Sequence, residues 1–270
     1  MTDDVVDSQK MPLLDHLIEL RSRLLRSVIA LFVAFFASFF IAEHLYNFLV
    51  QPLADILLQR GDERMARMIF TDLTEVFFTY VKVAFFFAAF ITCPIFLTQI
   101  WKFVAPGLYR HERKAFGPFL IASPLLFFLG GALVYFLILP LAWEFFLHFE
   151  TPGGDGTLPI QLEAKVGEYL SLTMKLIFAF GICFQLPVLM TLLARAGLAT
   201  SAGMAAKRKY AIVGVFVVAA IFTPPDPISQ ISLAIPIIIL YEISIHMARL
   251  MERKRAAEQE KLDREAGIEA

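Results

Sequence analysis

Charge is scarce in this 270-residue sequence: 18% of the residues are Asp, Glu, Lys or Arg, and 58% are hydrophobic. Soluble domains carry about 25% charged and about 45–50% apolar residues. The apolar excess here, 28 phenylalanines included, falls in long runs. That pattern excludes a soluble globular protein and points to an all-α polytopic membrane protein. Cysteine is nearly absent. Cys93 and Cys183 each lie within an apolar run, with no second cysteine or histidine at ligand spacing, so no disulfide framework or zinc site is indicated and both read as small apolar residues. Catalytic motifs are missing too: there is no His-Glu-x-x-His, Gly-x-Ser-x-Gly, P-loop or dinucleotide fingerprint. The five histidines are scattered at 16, 44, 111, 148 and 246. Neither an enzyme nor a metal or cofactor site is expected. A small-residue cleavage site does not follow the first apolar run, which therefore reads as an uncleaved helix.

What is present is a series of six apolar segments. A polar N-terminal segment, 1–26, ends in an amphipathic helix begun at Pro12, a residue suited to a first turn. The transmembrane domain, 24–247, follows, with spans expected at about 24–42, 77–101, 116–142, 169–194, 210–223 and 228–247. The tail, 249–270, is charged and helix-prone. Between the first two spans, Leu45–Leu58 reads as a short surface helix interrupted by Pro52. Pro94 is expected to kink span two. Pro and Gly along span three are acceptable in membrane helices. Span five is about 14 residues long, about 21 Å at about 1.5 Å per residue, against a hydrocarbon core of about 30 Å. Spans five and six thus form a short hairpin around Thr-Pro-Pro-Asp-Pro at 223–227. Either the bilayer thins there or neighbouring protein hides the mismatch.

Basic residues are segregated. Segments 1–26, 102–115, 195–209 and 249–270 hold 18 of the 24 Lys and Arg. A Lys/Arg excess marks cytoplasmic segments, so six spans put both termini in the cytoplasm. At the entry to span one, Leu13, Leu17, Leu20 and Leu24 form one helical stripe. Asp15, Glu19, Ser22, Arg23 and Arg26 gather opposite, fixing a carboxylate among arginines where helix meets bilayer. Read locally, Glu19 is an i,i+4 partner of Arg23, and Glu112 pairs with Arg113 or Lys114. Polar residues at membrane depth are costly and usually functional; here they are Gln185, Thr223, Gln230 and Glu242. For Gln185 an interhelical hydrogen bond is an equal reading. Glu242 is near enough to the interface to snorkel or to pair with a basic neighbour.

Four stretches carry a specific resemblance: His-Leu-Ile-Glu-Leu-Arg-Ser-Arg-Leu at 16–24, Trp-Lys-Phe-Val-Ala-Pro-Gly-Leu-Tyr-Arg-His-Glu-Arg at 101–113, Thr-Pro-Pro-Asp-Pro-Ile-Ser-Gln at 223–230, and Ala-Ile-Pro-Ile-Ile-Ile-Leu-Tyr-Glu at 234–242. In these, and in the order of its six spans, the chain resembles the TatC family, the receptor subunits of the twin-arginine protein translocase. The resemblance implies a multi-pass protein of the bacterial cytoplasmic (inner) membrane. It implies binding of twin-arginine signal peptides at the cytoplasmic face through Glu19 and Glu112, with Arg21, Phe103, Pro106, Leu108 and Tyr109 shaping that site. Pro52 matches a position in the first periplasmic loop. Thr223 and Gln230 match a polar cluster where single-span TatA/TatB-type partners dock. The implied partners are those subunits, signal peptides of folded cargo, further copies of the chain and the lipid bilayer, with no nucleic acid. Transport is driven by the proton-motive force.

One departure stands out. Relatives often carry Glu inside span four where this chain has Gln185, and an amide cannot bind and release a proton, so a hydrogen-bonding role is expected there. The competing function is a secondary transporter of small solutes. It would call for inverted repeats and midplane charges; spans one to three and four to six show no evident repeat, and no carboxylate lies near a midplane.

Overall fold

The computed structural model describes residues 11–59, 67–108, 117–151, 153–154, 156, 158–195, 197–223 and 227–265. Among these, the chain is helical: α1 (Met11–Phe40), α2 (Ala42–Gln59), α3 (Glu75–Leu108), α4 (Gly117–Leu133), a π-helical turn (Val134–Ile138), α5 (Leu139–Leu147), α6 (Val166–Cys183), α7 (Leu186–Arg195), α8 (Ser201–Ala206), α9 (Arg208–Phe222) and α10 (Pro227–Glu265). Five stretches are long and apolar enough to cross a membrane: Leu17–Phe40, Glu75–Phe103, Gly117–Leu147, Val166–Arg195 and Gln230–Lys254. The α9 helix, with 15 residues, reaches only about 22 Å. Large apolar side chains such as Phe32, Phe36, Ile121, Leu125, Phe136, Val213 and Ile235 point outward, as suits a molecule whose solvent is hydrocarbon.

The helices are grouped into two compact units, Met1–Tyr46 with Tyr80–Pro124, and Asn47–Thr79 with Leu125–Ala270. In the first, Phe35 of α1 meets Phe85 of α3 edge-on, with ring centroids 6.5 Å apart. Trp101 of α3 donates its indole N–H to the Ser123 hydroxyl of α4 at 2.9 Å, in a buried position. The α3 helix runs through Pro94 without a break. Thr92 and Thr98 turn their hydroxyls onto the Ala88 and Pro94 carbonyls, both at 2.7 Å, so neither hydroxyl confronts lipid unpaired.

In the second unit, α2 is one continuous helix with Pro52 inside it, not a helix interrupted there. Proline has no N–H to offer the carbonyl four residues back, which is that of Phe48. Tyr135, from the π turn, donates its hydroxyl to that oxygen at 2.7 Å, and its ring stacks on Phe48 at 4.5 Å. Tyr169 of α6 donates to the adjacent Leu49 carbonyl at 3.0 Å. The Tyr135 phenol thus replaces the helical donor that Pro52 lacks, and the two phenols together fasten α2 to its neighbours. Leu49, Leu53 and Leu57, spaced by four, form the buried stripe of α2. The π turn sits just before Pro140, whose missing N–H leaves the Phe136 carbonyl without its α-helical donor, and it separates α4 from α5 within the expected third span.

Two glycines set how close α4 and α6 come. A Cβ on Gly130 would lie 2.8 Å from the Phe180 carbonyl oxygen, and one on Gly181 would lie 2.5 Å from the Phe127 ring. The expected fourth span is also divided, between Cys183 and Leu186. Pro187 cannot donate to the Cys183 carbonyl, and the chain turns at Phe184 and Gln185, where the Gln185 N–H bonds the Ile182 carbonyl at 2.9 Å.

The segment between α2 and α3 is stitched to the start of α6. Ile69 and Lys165 form a parallel bridge. Glu75 accepts the Gly167 and Thr71 N–H groups, each at 3.0 Å, the first being an orphan donor at a helix N-terminus. Asp72, fully exposed, accepts from the N–H and hydroxyl of Thr74 at 3.0 and 3.1 Å, and these bonds hold its carboxyl below the usual carboxylate range.

Segment 195–209 folds back on α10. The backbone N–H and hydroxyl of Ser201 donate to the two Glu252 carboxylate oxygens at 2.6 and 2.5 Å, and Tyr241 donates to the Met204 carbonyl at 3.0 Å. Ala194, Met204, Ile245 and Ala248 pack beneath. The α8 and α9 helices are separate, divided at Lys207, so the fifth apolar helix does not extend back through Ala205. At the other end α10 continues to Glu265 as one helix of 39 residues, about 58 Å long. Its stretch Gln230–Lys254 is long enough to cross a membrane, so span six, expected to be short, is not, and only the fifth helix is.

Two outcomes are expected from these contacts. Tyr135→Phe should destabilise the detergent-solubilised protein by about 1–2 kcal/mol, the cost of an unpaired buried carbonyl. In a Pro52→Ala background, where the helix supplies its own N–H, the same change should cost less than about half of that; a thermal double-mutant cycle reads the coupling. Gly130→Ala should cost about 1–3 kcal/mol, seen as a lowered melting temperature, because a backbone carbonyl cannot move aside.

Candidate functional site

One line of polar residues on α1, Glu19, Arg23 and Ser27, turns toward protein, whereas Ser22 and Arg26 are exposed and the apolar stripe turns away. Leu17, Leu20 and Leu24 are exposed, Glu19 and Arg23 are half-buried, and Ser27 is 2% exposed. Residues 19, 23 and 27 are spaced by four and share one helix face. In water the stripe would be reversed; in a bilayer the leucines are the compatible surface and the charged groups need protein partners.

Glu19 and Gln99 are those partners. The Arg23 guanidinium donates from Nε to Glu19 Oε1 at 3.0 Å and from Nη2 to the same oxygen. Its remaining nitrogen, Nη1, donates to the Gln99 side-chain oxygen of α3 at 3.1 Å. Ser27 donates its hydroxyl to the Arg23 carbonyl at 3.1 Å. The Arg23 side chain is 19% exposed and that of Glu19 38%. The i,i+4 pair read from the sequence therefore exists, and it is anchored to a second helix. Gln99 was not among the polar residues singled out in the sequence. Its signal is an amide two residues before Trp101, inside a charge-free run. Trp101, bonded to Ser123, fixes α3 against α4 on either side of the segment holding residues 109–116.

Of the other expected peptide-contacting residues, Arg21 is exposed on α1 and Phe103 is half-buried near the end of α3. Only the backbone of Pro106 and Leu108, within the last turns of α3, is described. Tyr109 and Glu112 lie outside the described residues.

Pro52 is buried. It lines a cavity of about 550 Å³ with Asp55, Ile56, Gln59, Pro140 and Glu144. Gln185 stands at the α6–α7 turn rather than within a continuous helix, and its amide reaches the Gly181 carbonyl only at 3.5 Å. Glu242 pairs with Arg208 of α9 through two bonds, Nε to Oε1 at 2.6 Å and Nη2 to Oε2 at 2.8 Å. Thr223, nearly buried, caps its own helix by donating to the Ala219 carbonyl at 2.9 Å. Gln230 crosses from α10 to the Phe216 carbonyl of α9 at 3.1 Å. Glu242 and Gln230 thus clasp the hairpin at two levels.

Comparison with known proteins agrees with this architecture. The sequence model of the family described as "Sec-independent protein translocase protein (TatC)" matches residues 15–236. The TatC protein of Magnetococcus marinus is 51% identical over 251 residues, covering 93% of this chain and 89% of that protein. That of Escherichia coli K12 is 40% identical over 245 residues, covering 91% and 90%. A crystal structure of the twin-arginine translocase receptor TatC superposes with a TM-score of 0.72 at 37% identity, covering 88% of this chain and 99% of that one. The helical fold, the extent of the match and the multi-pass apolar helices lead to one conclusion: the chain belongs to the TatC family, the membrane component of the Sec-independent, twin-arginine protein translocase.

Proposed function

We propose that this chain receives twin-arginine signal peptides at the cytoplasmic face of a bacterial inner membrane, with Glu19 and Glu112 as the acceptors of the two guanidinium groups. The observation that carries the reading is the Glu19 carboxylate already holding a guanidinium, that of Arg23, through two donors in a half-shielded setting. A fully exposed ion pair contributes only about 0–1 kcal/mol, so selectivity needs shielding of this kind. The planar five-donor fork of arginine fits a carboxylate better than the point charge of lysine does. Arg21, Phe103, Pro106, Leu108 and Tyr109 border the site in this reading. The Lys/Arg distribution supports cytoplasmic termini and a cytoplasmic 102–115 segment.

The α9–α10 hairpin is the surface assigned to single-span TatA/TatB-type partners, around Thr223 and Gln230. Both side chains are engaged within the hairpin, so their role there is to hold its shape and present the partner surface. The proton-motive force drives passage of folded cargo, and this subunit hydrolyses no nucleotide.

Glu19→Gln and Glu112→Gln should each abolish binding of an Arg-Arg signal peptide and export of its cargo, while the protein still inserts. Retained crosslinking and export in both would remove this site. Lengthening α9 by about five leucines, enough to span about 30 Å, should impair export with little loss of membrane insertion; unchanged export would show that the short fifth helix has no mechanical part.

A further inference from the structure

From the geometry around Glu19 we infer that Arg23 is a built-in competitor for the signal-peptide arginine, and that Gln99 is the acceptor to which it retires when the peptide binds. The inference rests on the reading of Glu19 as a peptide acceptor and adds the regulation of that site. Three guanidinium nitrogens of Arg23 are committed to protein acceptors: Nε and Nη2 converge on Glu19 Oε1, and Nη1 reaches Gln99 Oε1. Both donors to Glu19 fall on one oxygen, so an incoming guanidinium cannot take the carboxylate with its full two-pronged geometry while Arg23 keeps its own. Arg23 therefore gives up one set of bonds when the peptide binds.

Where it goes is set by burial. At 19% side-chain exposure a guanidinium cannot be left without an acceptor except at considerable cost. The Gln99 amide oxygen, on a different helix, does not depend on Glu19 and remains available. The two acceptors of Arg23 thus have opposite effects on peptide affinity. Glu19 is contested between Arg23 and the peptide, whereas Gln99 stabilises the displaced state. In the absence of peptide, Arg23 keeps the Glu19 carboxylate neutralised in its half-buried position, so the site does not stand as a bare anion at the bilayer surface. Binding is then an exchange of one guanidinium for another, and a weakly held cation does not open the site.

The two bonds of Arg23 make the inference testable by the sign of their effects. A fluorescent synthetic signal peptide carrying an Arg-Arg pair is titrated against the full-length protein in lipid nanodiscs. Arg23→Gln should tighten binding by about two- to fivefold, the scale of a partly exposed ion pair. Arg23→Lys, which holds Glu19 less well, should fall between it and the parent. Gln99→Leu should weaken binding by a similar factor, because displaced Arg23 loses its acceptor. If Arg23 instead serves to orient Glu19, Arg23→Gln and Gln99→Leu both weaken binding and Arg23→Lys resembles the parent; that order overturns the inference. Should Arg23→Gln fail to insert, Arg23→Lys still separates the two orders, tightening binding in the first and resembling the parent in the second. Glu19→Gln in the same assay keeps the underlying reading distinct: retained binding there rejects Glu19 as acceptor, whereas lost binding together with the second order rejects only the competitor.

Discussion

Hydrocarbon offers no hydrogen bonds, so a polar group that this chain carries into the bilayer is costly unless it finds a partner within the protein. The arrangement of α2 shows the consequence most directly. Pro52 removes one backbone donor, and Tyr135, 83 residues further along the chain, supplies a phenolic replacement to the Phe48 carbonyl, while Tyr169 adds a further bond to the Leu49 carbonyl. The same requirement governs smaller features. Thr92, Thr98, Thr191, Thr223 and Ser244 all return their hydroxyls to a carbonyl four residues back, Glu75 takes up an orphan N–H of α6, and Gln230 spends its amide on α9. What holds this molecule together is less a wet-to-dry transfer of apolar area than close contact at glycines and polar groups matched in place.

The constraint also explains why Glu19, Arg23 and Ser27 of α1 are turned inward. A polar helix face that would meet water in a soluble protein here meets α3, so Glu19, Arg23 and Ser27 become partly or wholly buried while Leu17, Leu20 and Leu24 face out. Glu19 and Arg23 are thereby held in fixed geometry by Gln99. Gln99 does for Arg23 what Tyr135 does for Phe48: it satisfies, from a second helix, a group that its own helix cannot satisfy alone.

Much of this was legible in the sequence. Length and clustering of apolar residues are enough to locate membrane helices, because hydrocarbon thickness sets their length. The short fifth helix was visible for the same reason, and α9 begins one residue past Lys207, close to where the Lys-Arg-Lys cluster implied. The Glu19–Arg23 pair followed from spacing by four, since helix periodicity places both on one face. Less legible were the breaks. Pro94 and Pro52 lie inside continuous helices, whereas Pro140 and Pro187 coincide with a π turn and a turn, and the difference depends on which donors other helices can offer. Gln99, Tyr135 and Glu252 escaped notice because their meaning comes from partners 51 to 87 residues away, and no local pattern records that. Glu242 was readable as a residue able to pair with a basic neighbour, but the neighbour, Arg208, became evident only once α9 and α10 lay side by side.

The central claim is that Glu19, Arg23 and Ser27 of α1 are turned into protein and the α1 leucines into lipid. Spin labels placed singly at positions 17, 20, 24, 23 and 27, in a Cys93- and Cys183-free background in lipid nanodiscs, test it through collision with molecular oxygen, which concentrates in the bilayer, and with a water-soluble nickel chelate. The account predicts high oxygen accessibility at 20 and 24 and protection from both reagents at 23 and 27. High accessibility to either reagent at 23 and 27, with protection at 20 and 24, would contradict it.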